Sequence, residues 1–345
     1  MLNEFRQDLV SGEWVLLATG RSQRPDQHKK TVETVKQSKS ACPFEDPEKF
    51  GNEILVTYFS AKGGSASGGN QNKTDWFAKS AKNKFPAVIP DGKALTKQVG
   101  PFSITEGVGF HEIIIFRDHE KELHDFSVEE LTEVFKIYQE RYAFMVSQDS
   151  SKYILIFHNK GPRAGASIQH PHSQIISIPI LPPDVKRSIR GSEDYYKKHD
   201  KRIYDEMLAW EITERKRIIY ENDLFIAFCP FVSKTPYEIR IFPKESHAHF
   251  EKIPSDSVII LADAMRAVLA KVHLALNSSD FNFFIHTAPL EVRDVEPHKF
   301  YTWHIEIIPK VSLTGAFELG SGIDVNVIDP DEAAKLLRET DPVRS

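Results

Sequence analysis

The chain has few cysteines, no excess of basic residues and no long apolar segment. Only two of its 345 residues are cysteine, Cys42 and Cys229, so a disulfide framework is not expected and a reducing cytoplasm is the predicted compartment. The formal net charge of −5 offers no basic surface for nucleic acid. No apolar run approaches the roughly 18 residues of a membrane span, and the N-terminus lacks the apolar core of a signal peptide. We therefore expect binding to neither nucleic acid nor membrane.

Patterns of secondary structure recur in the two halves of the chain. The strand HEIIIF at 111–116 matches YEIRIF at 237–242, and each precedes a histidine-containing turn and a long helix. Two further matches follow these helices: YILIFHNKG (153–161) with FNFFIHTAP (281–289), and SQIISIP (173–179) with WHIEIIP (303–309). The repeat predicts an α+β fold of two strand–helix–strand–strand units, residues 1–182 and 183–345, with helices packed on an antiparallel sheet.

Helices are also indicated by local signals. Ser127 and Glu130 form a capping box at the start of a helix that is predicted to end near Ser147. Apolar spacing predicts another helix over 254–276, and the charged, periodic stretch 183–217 predicts one or two surface helices. Residues 331–339 are predicted to form a closing helix.

The segment Phe157–Pro179 carries the most informative motif. It reads as a strand, a small-residue loop with the sequence GPRAGAS (161–167) and a second extended segment that contains His170, His172 and Gln174. Because side chains alternate along an extended chain, these three side chains are predicted to share one face. The alternative is a surface strand that carries an incidental His-Pro-His.

Nitrogen-bearing side chains beside such a loop suit chemistry at phosphorus. A neutral imidazole can attack phosphorus and hold a nucleotidyl group covalently, provided that its other nitrogen is fixed by a hydrogen bond. The amide of Gln174 can donate to a phosphoryl oxygen, and the loop offers backbone N–H groups to a phosphate. Arg21 and Arg24 lie three residues apart on a predicted turn. They either bind an anion together or are two solvent-exposed arginines without a ligand.

Two groups of residues suggest metal ligands. The first is Cys42, Glu45, His119 and His170, in which a carboxylate stands where a second cysteine would make a strong zinc pattern. The alternative is that Cys42 is a small packing residue and His119 a turn residue. The second group is His286, His304 and Glu306, which is either a second metal site or a degenerate copy of the first-half strand.

Several of these segments carry a family resemblance. They are the block Arg6–Pro25, CPF at 42–44, NKFPA at 83–87, the block F-x-NKG-x-x-x-G-x-S-x-x-HPH-x-Q at 157–174, TPYEIRIFPK at 235–244 and FELGSGIDVN at 317–326. On these segments the chain resembles the galactose-1-phosphate uridylyltransferase family of the histidine-triad superfamily. The form ASIQHPHSQ is similar to a branch that includes plant ADP-glucose phosphorylase.

The resemblance implies a role for each matching residue. It implies duplicated histidine-triad units in a homodimer, with His172 as the nucleophile and Gln174 as its assistant. The implied substrate-binding residues are Arg21, Arg24, Asn83, Phe85, Asn159, Ser167 and Glu318. The arginines, Asn159 and Ser167 would contact phosphates, Asn83 and Phe85 would line the nucleotide pocket, and Glu318 would meet the hexose from the partner subunit.

The resemblance also bears on metals and on the reaction. It implies one zinc per chain, held by Cys42, His119 and His170, with Glu45 in place of the usual second cysteine. A second metal is not predicted, because Glu306 stands for a family histidine and Ser188 for a family glutamate. The implied partners are a nucleotide sugar and a sugar 1-phosphate. The implied reaction is exchange of UMP between UDP-glucose and galactose 1-phosphate; the alternatives are an ADP-glucose phosphorylase or a nucleotide-binding module without turnover.

Overall fold

The computed structural model of the chain describes residues 3–23, 38–59, 76–148, 151–290 and 298–342. The described strands are β1 (Asn3–Gln7), β2 (Trp14–Ala18), β3 (Ile54–Phe59), β4 (Trp76–Lys82), β5 (Thr96–Val99), β6 (Phe102–Thr105), β7 (His111–Phe116), β8 (Tyr153–Lys160), β9 (His172–Ile178), β10 (Ile218–Glu221), β11 (Phe225–Phe228), β12 (Ile239–Pro243), β13 (Phe281–His286), β14 (His304–Pro309) and β15 (Asp324–Asn326). The described helices are α1 (Val128–Val146), α2 (Pro183–His199), α3 (Ile203–Glu214), α4 (Val258–Ala275), α5 (Ala316–Ser321) and α6 (Pro330–Glu339).

Ten of the described strands form one continuous sheet. Its order is β10-β11-β12-β14-β13-β8-β9-β7-β4-β3, and every neighbouring pair is antiparallel. The first-half strands run outward from β8 and the second-half strands run outward from β13 in the corresponding order. The two sets meet where β8 pairs with β13. The predicted α+β architecture, with duplicated units in an antiparallel sheet, is confirmed.

One face of the sheet packs against α1 and α4. Alternate strand residues, among them Ile114, Ile156, Ile175, Phe283 and Ile305, lie in a buried cluster with the apolar side chains of both helices. The predicted capping box is present, because the Ser127 side chain accepts from Glu130 N–H and the Glu130 carboxylate accepts from Ser127 N–H. Burial of this face therefore orients every central strand, and the alternate residues are directed to the opposite face.

The opposite face carries most of the polar groups of interest. The strand registers place Gln174, Phe157, Phe284, Glu306 and Arg240 in one row across β9, β8, β13, β14 and β12. His172 lies on this face two residues before Gln174, and His304 two residues before Glu306. The two histidine-bearing regions of the chain therefore share one surface of one sheet.

Some elements differ from the sequence-based expectation. The stretch 183–217 forms two helices, α2 and α3. Strand β4 was not predicted, although Trp76, Ala78 and Ser80 are buried, because alanine and serine give little hydrophobic signal and Lys79 is buried against Glu48 at 2.7 Å. The hairpin β5–β6 and the strands β1 and β15, which pair with β2, were not predicted either. No described helix is both long and apolar enough to cross a bilayer.

Candidate active site

His172 is the first residue of β9 and is almost fully buried, with 7% of its surface exposed. Its Nδ1 donates to the carbonyl oxygen of His170 at 2.8 Å, so the neutral ring keeps the lone pair of Nε2 free. Burial lowers the pKa of His172, which favours this neutral form near pH 7. The ring of Phe44 meets the imidazole edge-on at 5.1 Å and restricts its rotation. A buried, aimed and unprotonated imidazole is the form that a nucleophile requires.

Gln174 is held by His111, a histidine outside the motifs described above. The backbone N–H of Ala87 donates to His111 Nδ1 at 3.2 Å, so His111 carries its proton on Nε2. That Nε2 donates to Gln174 Oε1 at 2.9 Å. Burial lowers the pKa of His111, which keeps the ring neutral and this tautomer in place. The amide hydrogens of Gln174 are consequently left for another acceptor, such as a phosphoryl oxygen.

Asn83 joins the same arrangement. Its Oδ1 accepts from Phe85 N–H at 2.9 Å, and its Nδ2 lies 3.1 Å from His111 Nε2. Because Nε2 donates to Gln174, it does not also accept from Asn83, and the Asn83 amide keeps its hydrogens for another group. His111 shares a face of β7 with Ile113 and Ile115, and the pairing of β7 with β9 brings that face beside Gln174.

Asn159 lies beside the small-residue loop. The register of β8 and β9 pairs His158 with Ser173, and its continuation brings Asn159 opposite His172. The loop turns at Gly161 and Gly165, whose φ angles of 81° and 87° fall in the left-handed region that favours glycine. A Cβ atom on Gly161 would also lie 2.0 Å from an oxygen of Asp280. Substitution of either glycine would therefore disturb the backbone conformation of this loop.

The structure does not bring all predicted substrate-binding residues together. Arg21 is exposed in a short turn at 19–23, and Arg24 lies outside the described residues. Ser167 is exposed, and so is Phe85, at 84%. Glu318 lies on α5, where its carboxylate accepts from Gly315 N–H at 3.0 Å. Within the part of the chain that is described, no hydrogen bond or ion pair links the side chains of Arg21, Phe85, Ser167 and Glu318 to His172 or Gln174. The roles of these residues, and of Arg24, stay predictions.

The first predicted metal cluster does assemble. Ligand atoms of Cys42, His119 and His170 lie within 4.8 Å of one another. Cys42 Sγ is 3.6 Å from His170 Nδ1, and His119 Nδ1 is 3.1 Å from the same atom. Glu45 adds a carboxylate oxygen 3.1 Å from His119 Nδ1 and 3.3 Å, by its other oxygen, from Arg117. The sulfur and the two ring nitrogens thus converge on one point, and the Glu45 oxygen lies beside the His119 nitrogen.

This donor set fits a tetrahedral cation. Zinc bonds of the usual lengths give ligand-to-ligand edges of roughly 3.3–3.8 Å, close to the spacings observed. His170 Nε2 donates to the carbonyl oxygen of Phe116 at 2.6 Å, which leaves the Nδ1 lone pair directed at the cluster. Burial lowers the pKa of His170 to about 4, so the ring is neutral and able to bind a metal at neutral pH. The chain can therefore hold one metal ion here.

The second cluster is built differently. His286, His304 and Glu306 also present ligand atoms within 4.8 Å of one another, and His286 Nε2 lies 3.6 Å from Glu306 Oε2. However, the buried guanidinium of Arg240 lies 3.6 Å from the same oxygen and also pairs with Glu238 at 2.8 Å. Burial alone would raise the pKa of Glu306, but Arg240 holds it well below the usual range. A protein cation thus already neutralises the only carboxylate of this cluster, which does not favour a second metal.

Comparison with known proteins agrees with this geometry. The family model described as "Galactose-1-phosphate uridyl transferase, N-terminal domain" matches residues 1–182. The chain belongs to this family. A second model, for a domain of unknown function (DUF4921), matches residues 109–341 and so covers most of the second half as well.

Named relatives of the family match over nearly the full length. The chain is 29% identical to ADP-glucose phosphorylase of Arabidopsis thaliana, over 97% of this chain and 92% of that protein. It is 27% identical to galactose-1-phosphate uridylyltransferase of Thermotoga maritima, over 98% of both chains. A crystal structure of the Arabidopsis thaliana ADP-glucose phosphorylase with bound ADP-glucose superposes with a TM-score of 0.81, at 28% identity, over 99% of this chain and all of that one. The resemblance to both branches of the family, expected from the sequence motifs, is confirmed.

Proposed function

We propose that this chain is a nucleotidyltransferase that cleaves a nucleotide sugar through a covalent intermediate on His172. The observation that carries the proposal is the hydrogen bond from His172 Nδ1 to the His170 carbonyl, beside Gln174, whose amide hydrogens make no hydrogen bond among the described residues. Neither feature is needed by a protein that only binds nucleotides. Both are needed by an enzyme that attacks phosphorus and stabilises the charge that develops on it.

The first half-reaction is a displacement at the α-phosphorus. His172 Nε2 supplies an electron pair to form an N–P bond, and the bond from phosphorus to the bridging oxygen breaks, so that sugar 1-phosphate leaves with that electron pair. The imidazole becomes cationic, and the His170 carbonyl stabilises it by accepting from Nδ1–H. Amide hydrogens of Gln174 and Asn159 would hold the non-bridging oxygens. In the second half-reaction an acceptor phosphate oxygen attacks the same phosphorus and releases His172.

Our leading assignment for the partners is exchange of UMP between UDP-glucose and galactose 1-phosphate. The match to the uridyl transferase family model and the full-length similarity to the Thermotoga maritima enzyme support it. The second candidate is an ADP-glucose phosphorylase, in which AMP passes to inorganic phosphate. It is favoured by the similarity to the Arabidopsis thaliana enzyme in both sequence and structure.

A labelling experiment tests the mechanism and separates the two assignments. The protein is incubated with UDP-glucose or ADP-glucose that carries 32P at the α-phosphate, and it is then quenched in base, where phosphohistidine survives. We expect acid-labile label on His172 and none on a His172→Gly variant. Release of the label by galactose 1-phosphate supports the uridylyltransferase, and release by inorganic phosphate from an adenylylated enzyme supports the phosphorylase. If neither nucleotide sugar labels the protein, the covalent mechanism is wrong.

We propose zinc as the ion held by Cys42, His119 and His170, with Glu45 as the fourth ligand. The ion would crosslink the N-terminal segment to the strand that carries the nucleophile; its chemistry is structural. His170 would hold the metal by its side chain while its carbonyl orients His172. Cys42→Ala should lower zinc content, measured by elemental analysis, and should lower the melting temperature. Full zinc content in this variant would leave Cys42 as a packing residue.

We also propose a homodimer in the cytoplasm, in which Glu318 of one subunit meets the hexose bound by the other. The exposed side chains Leu313 and Leu319, at 82% and 79%, flank Glu318 and are compatible with a subunit contact there. Mixing inactive His172→Gly and Glu318→Ala homodimers under conditions of subunit exchange should restore part of the activity. A mixture as inactive as its components, despite exchange, would exclude a role for Glu318 across the interface.

A further inference from the structure

The second half of the chain also contributes to the chemistry of the first. We propose that Asn282 is a positioning residue for nucleotidyl transfer, because it fixes the side-chain amide of Asn159 and the loop that follows it. The inference rests on the proposed function, in which Asn159 contacts the transferred phosphate. It assigns a catalytic contribution to a residue from the half that lacks the HPH-x-Q motif.

Asn282 lies in a polar row with the nucleophile. The register of β13 and β8 pairs Asn282 with Asn159, and the register of β8 and β9 continues to His172. The three residues thus follow one another across three neighbouring strands, on the face opposite the helices. Residues directly opposite in antiparallel strands have Cβ atoms about 5 Å apart, so the three side chains are neighbours on this face.

A single nitrogen of Asn282 makes two short hydrogen bonds. Its Nδ2 donates to the carbonyl oxygen of Ala164 at 2.7 Å and to Asn159 Oδ1 at 2.7 Å. Both hydrogens of this amide are therefore used. Ala164 lies in the small-residue loop, so one side chain of the second half contacts both the loop and the strand residue that precedes it.

The Ala164 carbonyl decides the orientation of both amides. A backbone carbonyl only accepts, so the Asn282 atom that faces it must be nitrogen. The Asn159 atom that faces the same nitrogen must then be the acceptor Oδ1, since two amide nitrogens would each donate. The NH2 group of Asn159 is consequently directed away from Asn282. No hydrogen bond to this NH2 occurs among the residues that the structure describes, which leaves it available to a phosphate oxygen.

A second contact from the same segment holds the loop at its start. Asp280 Oδ2 accepts from the backbone N–H of Arg163 at 2.8 Å. Asp280 and Asn282, two residues apart, thus hold the loop at Arg163 and Ala164. Preorganised donors cost no reorganisation during the reaction, whereas displacement of a positioning group by about 1 Å can lower the rate about 100-fold. The contact between the halves therefore contributes to rate as well as to stability.

The test compares four variants with the wild-type protein. They are Asn282→Ala, Asn159→Ala, the double variant and Asn222→Ala. Asn222 is the matched control, because its Nδ2 also donates to one backbone carbonyl, that of Ile260 at 2.8 Å, and to one side-chain oxygen, Asp263 Oδ2 at 2.9 Å. The measurements are the single-turnover rate of His172 labelling by a nucleotide sugar and the melting temperature.

We expect Asn282→Ala to label about 10- to 100-fold more slowly than wild type, while Asn222→Ala labels at the wild-type rate. Because Asn282 acts through Asn159 and the loop, the double variant should be no more than a few-fold slower than Asn159→Ala alone. The proposal would be overturned if the fold-loss of labelling rate in the double variant equalled the product of the two single losses. A wild-type labelling rate for Asn282→Ala would overturn it as well. So would an equal loss of rate in Asn222→Ala.

A further variant keeps the proposal testable if Asn282→Ala does not fold. Asn282→Asp preserves the side-chain shape but replaces the donor by an acceptor, so the Asn159 amide would turn its NH2 towards residue 282. We expect a loss of rate at least as large as that of the alanine variant, and labelling at the wild-type rate would contradict the inference. A wild-type protein that is not labelled by any nucleotide sugar would instead contradict the proposed function.

Discussion

The face of the sheet opposite the helices carries two histidine centres. They share the same histidine geometry at the start of a strand but differ in the side chain two residues later. His172 opens β9 and donates to the carbonyl two residues before it, and His304 opens β14 and does the same to Thr302 at 3.1 Å. Two residues later the first centre has the neutral amide of Gln174, whereas the second has the carboxylate of Glu306, paired with Arg240. A carboxylate repels a phosphate, and a buried ion pair resists replacement. The comparison indicates that duplication supplied the histidine geometry twice, and in the proposed mechanism only the copy with Gln174 carries out the chemistry.

Removal of each histidine should give the largest contrast between the centres. His172→Gly should lower nucleotidyl transfer by at least about 10⁴-fold, because the covalent step loses its nucleophile. His304→Ala should change transfer by no more than a few-fold, although loss of a buried ring should lower the melting temperature. Single-turnover labelling measures both. Comparable losses of rate in the two variants would mean that the second centre takes part in the reaction.

Arg240→Met should destabilise the second centre alone. The variant leaves Glu238 and Glu306 buried without their cation, and removal of one partner of a buried pair typically costs about 3–5 kcal/mol. Denaturant titration at neutral pH measures the free energy of unfolding, and elemental analysis shows whether the freed carboxylates now bind a metal. An unchanged free energy of unfolding would mean that Arg240 does not stabilise this cluster.

Gln174→Glu gives the first centre a glutamate at the position that corresponds to Glu306 of the second centre. We expect transfer to fall by more than about 10³-fold, because a hydrogen-bond donor to the phosphate becomes a negative charge. Transfer by Gln174→Ala should fall by about 10²–10³-fold, since this variant removes the donor without adding the charge. If the glutamate variant retained the wild-type rate, the difference between Gln174 and Glu306 would not explain why one centre is active.

The smallest expected effect is the pH dependence of stability that arises from the buried His158, in the core. His158 stacks on Phe283 at 5.3 Å, and burial lowers its pKa to about 3. Its pKa in the unfolded chain is about 6.5. The unfolded state therefore binds more protons between these values, so stability should fall as pH drops below about 6.5, by up to about 1.4 kcal/mol per pH unit for this group. Denaturant titrations of wild type and His158→Gln from pH 7 to 5 measure the difference. Parallel curves would show that His158 is not the cause.

The sequence predicted those features that depend on alternation along one strand. His172 and Gln174 were placed on one face because they lie two apart, and the helix cap at Ser127 followed from a local rule. His111 and Asn282 were not identified, since their importance arises only when β7 pairs with β9 and when β13 pairs with β8. Asn282 and its partner Asn159 are 123 residues apart. No local pattern specifies such a contact.

The internal repeat was recognised with displaced registers: by one residue for HEIIIF with YEIRIF, and by two residues for SQIISIP with WHIEIIP, which aligns Gln174 instead of His172 with His304. The match of HEIIIF with YEIRIF aligns Ile114 with Arg240. In the structure Ile114 packs with the helices, whereas Arg240 lies in the row with Gln174 on the opposite face. Both strands are rich in apolar residues and buried on both faces, so their hydrophobic pattern does not distinguish the two registers. The position of Arg240 beside Glu306 therefore could not be inferred from the repeat.

The row Gln174–Phe157–Phe284–Glu306–Arg240 has a further consequence. Two aromatic rings separate the amide at one end from the ion pair at the other, and three strand spacings put Gln174 roughly 14 Å from Glu306. At that distance the opposite charges of Arg240 and Glu306 partly cancel, so the field of the pair at Gln174 is weaker than that of a single charge. Phe157 and Phe284 thus act as spacers between the amide and the ion pair. Substitutions at 240 and 306 that preserve the net charge should therefore change the potential near Gln174 little, so the two ends of one sheet face are free to diverge.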